Sequence, residues 1–173
     1  MTAQVLPTEH MRAWYALQTR ARHEKAVSNY LRIQGQEEFL PLYKSRRKWS
    51  DRVTVVELPL FGGYVFCRLA RTSLASALST PGVLKVLSYG SEPIPVPDCE
   101  IDAIRRATSG ATPAVPCAYL KVGVQVRIRR GAMQGLEGRL ERIKNSFRLV
   151  LSVHLLQRSV SLEVDPETVE VIG

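Results

Sequence analysis

At 173 residues the chain has room for one medium domain or two small ones. Hydrophobic residues at 45% and charged residues at 23% exclude a chain disordered along most of its length. The most apolar run, residues 58–67, is broken by Pro59, Gly62 and Gly63 and is too short to span a bilayer. A formal charge of +8 and a pI near 9.8 favour a polyanionic partner over a merely solubilising surface. Residues 1–11 hold no apolar segment of the secretory kind and read as a loose N-terminal arm. Cys67, Cys99 and Cys117 are widely spaced and odd in number, which fits neither a disulfide framework nor a zinc site and makes the cytoplasm the expected compartment. His10, His23 and His154 are scattered, and there is no Gly-rich phosphate loop or paired-carboxylate motif. An enzyme is therefore not expected, and His23 beside Glu24 reads as a helix start rather than an acid–base pair.

Residues 13–19 have the aromatic and apolar content of a buried strand. Residues 22–34 follow as a helix, with Ala26, Val27, Tyr30 and Leu31 on one face and Gly35 as its stop. Residues 39–43 and 53–60 read as the strands of a long hairpin whose tip is the basic run 44–52. Residues 64–69 form a strand with Tyr64, Phe66 and Arg68 on one face and Val65, Cys67 and Leu69 on the other. A short helix is predicted over residues 72–79 and a strand over 83–89. Pro97 suits the first turn of a further helix, with Asp98, Glu100 and Asp102 near its positive end and Arg105 and Arg106 near its negative end. Residues 12–108 thus read as one α+β domain with an antiparallel or mixed sheet.

Residues 109–117, which open Ser-Gly-Ala-Thr and carry Pro113 and Pro116, read as a partly extended linker. Beyond it Val124, Val126 and Ile128, then Leu149, Leu151 and Val153, then Val160, Leu162 and Val164 alternate with other residues, and Val169 and Val171 close the chain. About four or five short strands over residues 118–173 make a small barrel or sandwich the economical solution, because closure hides sheet edges. Gly131, Gly135 and Gly138 punctuate the turn between the first two strands. Leu136, Leu140, Ile143, Phe147 and Val150 also follow helical spacing. Gly135 and Gly138 oppose a helix beginning before about Arg139, and the β-branched residues from Val150 onward favour sheet.

Several of these segments carry a family resemblance. Trp14-Tyr15, His23-Glu24-Lys25, the run from Pro59 through Phe61-Gly62-Gly63-Tyr64 to Phe66, Thr80-Pro81-Gly82-Val83 and Pro95-Val96-Pro97-Asp98 stand in order. Together they resemble the N-terminal (NGN) domain of NusG-like transcription elongation and antitermination factors. The run from Val122 to Ile128, with Gly131 and Gly138, resembles the KOW motif that follows it. The resemblance implies an NGN-type sheet flanked by helices, then an SH3-like KOW β-barrel. It also implies attachment to RNA polymerase, at the clamp helices of the largest subunit, through an aromatic pocket. That pocket falls on Phe61, Tyr64 and Phe66, with Val86 as a neighbour; rigid aromatics bury large area at little entropic cost. The alternative for each ring is ordinary core, to which Trp14 and Tyr15 are assigned.

The basic run supplies a second candidate. Five cations, Lys44, Arg46, Arg47, Lys48 and Arg52, lie with Trp49 within nine positions against a single acid, Asp51. The cations can neutralise phosphates and Trp49 can stack on a base. In relatives the corresponding hairpin projects toward the upstream edge of the transcription bubble, which makes DNA there, or nascent RNA, the expected partner; the alternative is a solvated turn with none. The third candidate is Leu155, Leu156 and Arg158, where housekeeping relatives present an Ile-Phe-Gly-Arg-like stretch to termination factor Rho or to a ribosomal protein. Here Leu155-Leu156-Gln157 replaces the first three residues, and the family's Gly-Pro-Phe turn appears as Gly131-Ala132-Met133. Those departures favour a specialised, operon-restricted antiterminator over the general factor. Some specialised relatives fold this domain as a helical hairpin that masks the polymerase pocket, and the helical spacing noted above keeps that alternative open. The rival from another class is a KOW-type RNA-binding protein of ribosome assembly or translation, acting without polymerase. No cofactor, metal or membrane partner is expected, and a monomer is the default.

Overall fold

The computed structural model describes residues 11–49, 52–117, 123–143, 146–153, 156–165 and 168–172. Strand β1 (Arg12–Thr19) is the buried centre of the first sheet. A tight turn through Arg22, whose φ is 65°, leads into helix α1 (Glu24–Ile33). The helix buries Glu24, Val27, Ser28 and Leu31, an i, i+3, i+4, i+7 stripe. The predicted stripe is therefore rotated, and Ala26 and Tyr30 face solvent. Two polar side chains displace them because each finds a partner beneath the helix: Ser28 donates to Glu38 at 2.6 Å and Glu24 accepts from the Gly63 amide at 2.8 Å. Gly35 ends the helix as predicted, with φ 73°, the left-handed conformation that glycine adopts without a Cβ penalty.

Strand β2 (Glu37–Phe39) follows, then β3 (Leu42–Trp49) and β4 (Arg52–Pro59), which pair with each other as a two-stranded ribbon. The predicted strand over residues 39–43 is split between β2 and β3 at Pro41, which has no N–H to give a ladder; its carbonyl instead accepts from Leu60 at 2.8 Å. Next come β5 (Tyr64–Ala70), a 3-10 turn (Arg71–Ser73), α2 (Leu74–Leu78) and β6 (Val83–Val86). A second small ribbon, β7 (Ser88–Tyr89) with β8 (Glu92–Pro93), precedes β9 (Pro95–Val96) and α3 (Asp98–Ser109). The first sheet runs β2-β5-β1-β6, with β9 also on β1, and its pairings are antiparallel.

Alternation along β1 and β5 divides their side chains between two faces. On one face Tyr15, Leu17, Val65, Cys67, Leu69 and Val86 pack with Val27 and Leu31 of α1 and with Leu74 and Ala77 of α2. The other face is aromatic: Trp14 meets Phe39 edge-on at 6.4 Å, and Phe39 stacks on Phe66 at 6.1 Å.

The tail forms a six-stranded sheet in the order β10-β14-β13-β12-β11-β15. Its strands are β10 (Val115–Cys117), β11 (Val124–Ile128), β12 (Glu137–Ile143), β13 (Ser146–Val153), β14 (Arg158–Val164) and β15 (Val169–Val171). Val126, Leu149, Leu151, Val160 and Leu162 make its core. Two expectations change here. Residues 115–117, read as linker, pair with Ser159–Ser161; β10 is an edge strand, where Pro116 is tolerated. From Leu140 to Val150 the residues of helical spacing lie in strands β12 and β13. A Cβ on Gly138 would come within 2.6 Å of the Val150 carbonyl oxygen, so this close crossing of β12 and β13 requires glycine.

The fold is α+β, with three α-helices and antiparallel sheets among the described residues. It divides into two compact units: the described residues up to Leu40 with Gly63–Val96, and Pro41–Gly62 with the described residues from Pro97 onward. The predicted boundary at Thr108 does not coincide with this division, since α3 belongs to the second unit.

Candidate functional site

The chain just before Tyr64 is held from two sides. Gly63, at φ 84°, donates its N–H to Glu24 and accepts from the Thr19 amide at 2.9 Å. The first turn of α1 and the last residue of β1 thus fix the turn that launches β5. A buried carboxylate there also suits the positive end of the helix dipole. Sequence reading singled out His23-Glu24-Lys25 and Gly62-Gly63 but missed that they bond to one another. The available signal was an acid standing where the inward helical stripe begins.

Burial and register then sort the first candidate set. Phe61 and Phe66 are sealed, at 1% and 0% exposure, Val86 is 9% exposed, and Tyr64 is half-buried. Leu17 stands opposite Val65 and Val86, Ala16 opposite Phe66, and Gln18 opposite Tyr64 and Lys85. Val86 therefore sits on the helix-packed face, and Tyr64 and Phe66 on the other. Val86 and Phe66 thus stand on opposite faces of the sheet, and the Phe61 and Phe66 rings are each closed to solvent. On the sheet face of Phe66, what reaches the surface is the cross-strand row Tyr64, Gln18 and Lys85.

The second set is ladder rather than loop. Lys44 pairs with Glu57, Arg46 with Val55, Arg47 with Thr54 and Lys48 with Val53. The expectation of a hairpin tip at residues 44–52 is corrected accordingly, because the alternating valines of β4 extend the pairing to Trp49 and Arg52. Ser50, Asp51 and the Trp49 side chain lie outside the described residues. Lys44, Arg46 and Lys48 share one exposed face with Glu57, Val55 and Val53, and the two valines are 56% and 63% exposed. Arg47 and Arg52 are exposed on the opposite face. Sequence reading grouped all five cations; a strict two-residue alternation would have separated them.

In the third set Leu155 lies outside the described residues, Leu156 is buried, and Arg158 is exposed at the start of β14. Between them Gln157 takes a left-handed φ of 51°. On the outer face of the same sheet Arg127 bonds to Glu137 at 2.6 Å and lies 3.7 Å from Glu170, and the hydrogen bond raises its already high pKa. Among the described residues no three His, Cys, Asp or Glu side chains are grouped to hold a metal ion, and no helix is long and apolar enough to cross a membrane.

Comparison with known proteins places this architecture in one class, the transcription elongation and termination factors. The family described as transcription termination factor nusG matches residues 12–105, and the chain belongs to the NusG family. Its members are transcription factors rather than enzymes. A transcription termination/antitermination protein NusG from Borreliella burgdorferi is 25% identical over 182 residues, covering 93% of this chain and 99% of that one. A solved structure concerned with domain interaction in Thermotoga maritima NusG has a similar fold, with TM-score 0.54 and 22% identity over 94% of this chain and 98% of its own. A solved MjSpt4:Spt5 complex aligns over 92% of this chain and 98% of its own at 17% identity, with a TM-score of 0.31.

Proposed function

We propose that this protein binds RNA polymerase through its N-terminal α+β sheet, at the clamp helices of the largest subunit, and recruits a second partner through its C-terminal sheet. The family match over residues 12–105 carries this reading. The docking surface is the row Tyr64, Gln18 and Lys85, with the sealed ring of Phe66 on the same sheet face as its rigid support. Tyr64 is the ring able to lose solvent on binding, and a half-buried tyrosine offers both apolar area and a hydroxyl. The β3–β4 ribbon contacts nucleic acid near the bubble through its cations. Gln157 and Arg158 form the accessible part of the tail's recruiting surface, toward a ribosomal protein, Rho or RNA. The altered stretch at residues 155–157 favours a specialised antiterminator. Binding equilibria of this kind shift polymerase between states without covalent chemistry, and a tethered tail raises the local concentration of its partner.

Co-purification with polymerase from a nuclease-treated lysate tests this. Tyr64→Ala is expected to cut retained polymerase at least tenfold, about 1.4 kcal/mol or more, with the fold intact by circular dichroism. Phe66→Ala, by contrast, removes a buried ring and costs roughly 3–5 kcal/mol of stability. Full retention by Tyr64→Ala removes the docking surface. Loss of polymerase from the unaltered protein on nuclease treatment favours the rival, an RNA-binding protein acting without polymerase.

A further inference from the structure

The two faces of the β3–β4 ribbon differ in how their cations are arranged. Lys44, Arg46 and Lys48 are consecutive same-face positions on one strand, so they stand about 6.6–6.8 Å apart. That interval is close to the reach from one phosphate to the next along a single nucleic-acid strand. Beside this row, on the paired strand, run the exposed valines at 53 and 55, an apolar track without sequence-reading hydrogen bonds. Glu57, opposite Lys44, is the single acid on that face of the paired strands. Arg47 and Arg52, on the other face, form no comparable row along one strand. At its base the same cationic face enters a cleft of about 520 Å³, walled on one side by Lys44, Arg46, Val55 and Glu57 and on the other by the small residues Gly110 and Ala111.

We infer that one face of the ribbon binds a single nucleic-acid strand lengthwise, with successive phosphates on Lys48, Arg46 and Lys44, sugars and bases against Val53 and Val55, and one end of the strand in the cleft. This rests on the reading of the ribbon as a nucleic-acid contact and specifies what it holds. Duplex insertion is the competing geometry, since a two-stranded ribbon fits a major groove, but it engages both faces. A strand laid lengthwise engages one.

The test is fluorescence anisotropy of the full chain with oligo-dT, oligo-U and a duplex of equal length, across a salt series. Arg46→Glu/Lys48→Glu is compared with Arg47→Glu/Arg52→Glu, which changes the charge equally. Single strands are expected to bind more tightly than duplex, and the dT and U arms tell DNA from RNA. The 46/48 pair is expected to weaken single-strand binding at least tenfold and to flatten the log–log salt slope by about 1.4, at roughly 0.7 per phosphate lost. The 47/52 pair is expected to have less than a third of that effect. Equal effects of the two pairs, or a preference for duplex, overturn the inference while leaving the ribbon a nucleic-acid contact. Unchanged binding by both pairs overturns that reading as well.

Discussion

Cys67 has no exposed surface beneath the two helices, and burial, with smaller contributions from Glu38 and Glu37 against Arg12, pushes its thiol from about 9 to about 12. The folded state therefore holds this proton more tightly than the unfolded chain does. Stability from this group is fully present below pH 9 and is lost as pH rises from about 9 toward 12, at up to about 1.4 kcal/mol per pH unit. Urea unfolding of the parent and of Cys67→Ala between pH 8 and 11 checks this: the parent should lose stability more steeply, and parallel curves would refute the assignment. Gln157 makes a different kind of demand. At φ 51° it occupies a conformation that costs a residue with a Cβ roughly 1–2 kcal/mol. A β-branched side chain tolerates it least. Gln157→Val should lower stability by about 1 kcal/mol or more, whereas Gln157→Gly should not lower it, since the relief offsets glycine's extra entropy in the unfolded chain. Thermal unfolding of the two variants decides.

Among the elements, those readable from sequence were the ones set by local periodicity. β1, β5 and the tail strands β11, β13 and β14 carry uninterrupted apolar alternation or runs, and α3 has a proline start and correctly placed end charges. What was not legible depended on partners distant in the chain. The inward face of α1 turned on Ser28 meeting Glu38 and Glu24 meeting Gly63, neither of which has a periodic signature. Whether Val86 stood beside Phe66 was decided by strand register, in which one residue separates one face of a sheet from the other. The ribbon shows the same limit: its cations were visible as a cluster, but their division into a row of three and a pair on the reverse follows only from the pairing of β3 with β4.

At the scale of the molecule, the α+β class and the change of character toward an all-strand tail follow from the pattern of elements. The grouping of α3 and of the β3–β4 ribbon with the tail in one compact unit does not, because it joins segments far apart in sequence. For the candidate site, the family resemblance supplied Phe61, Tyr64 and Phe66; that two of the three are sealed is a matter of packing density, on which composition says nothing. The ribbon also bears on how the molecule behaves in company. A hairpin that pairs only with itself among the described residues offers two open backbone edges, and with valines outward it is a template onto which a second copy can zip. Its lysines and arginines then act as gatekeepers, each ribbon repelling its twin until an anion intervenes. Neutral glutamines at positions 44, 46 and 48 should make the protein grow into assemblies with rising concentration, seen by light scattering, where the parent stays constant in size. The charge that attracts a polyanion would thus also be what keeps the protein dispersed without one.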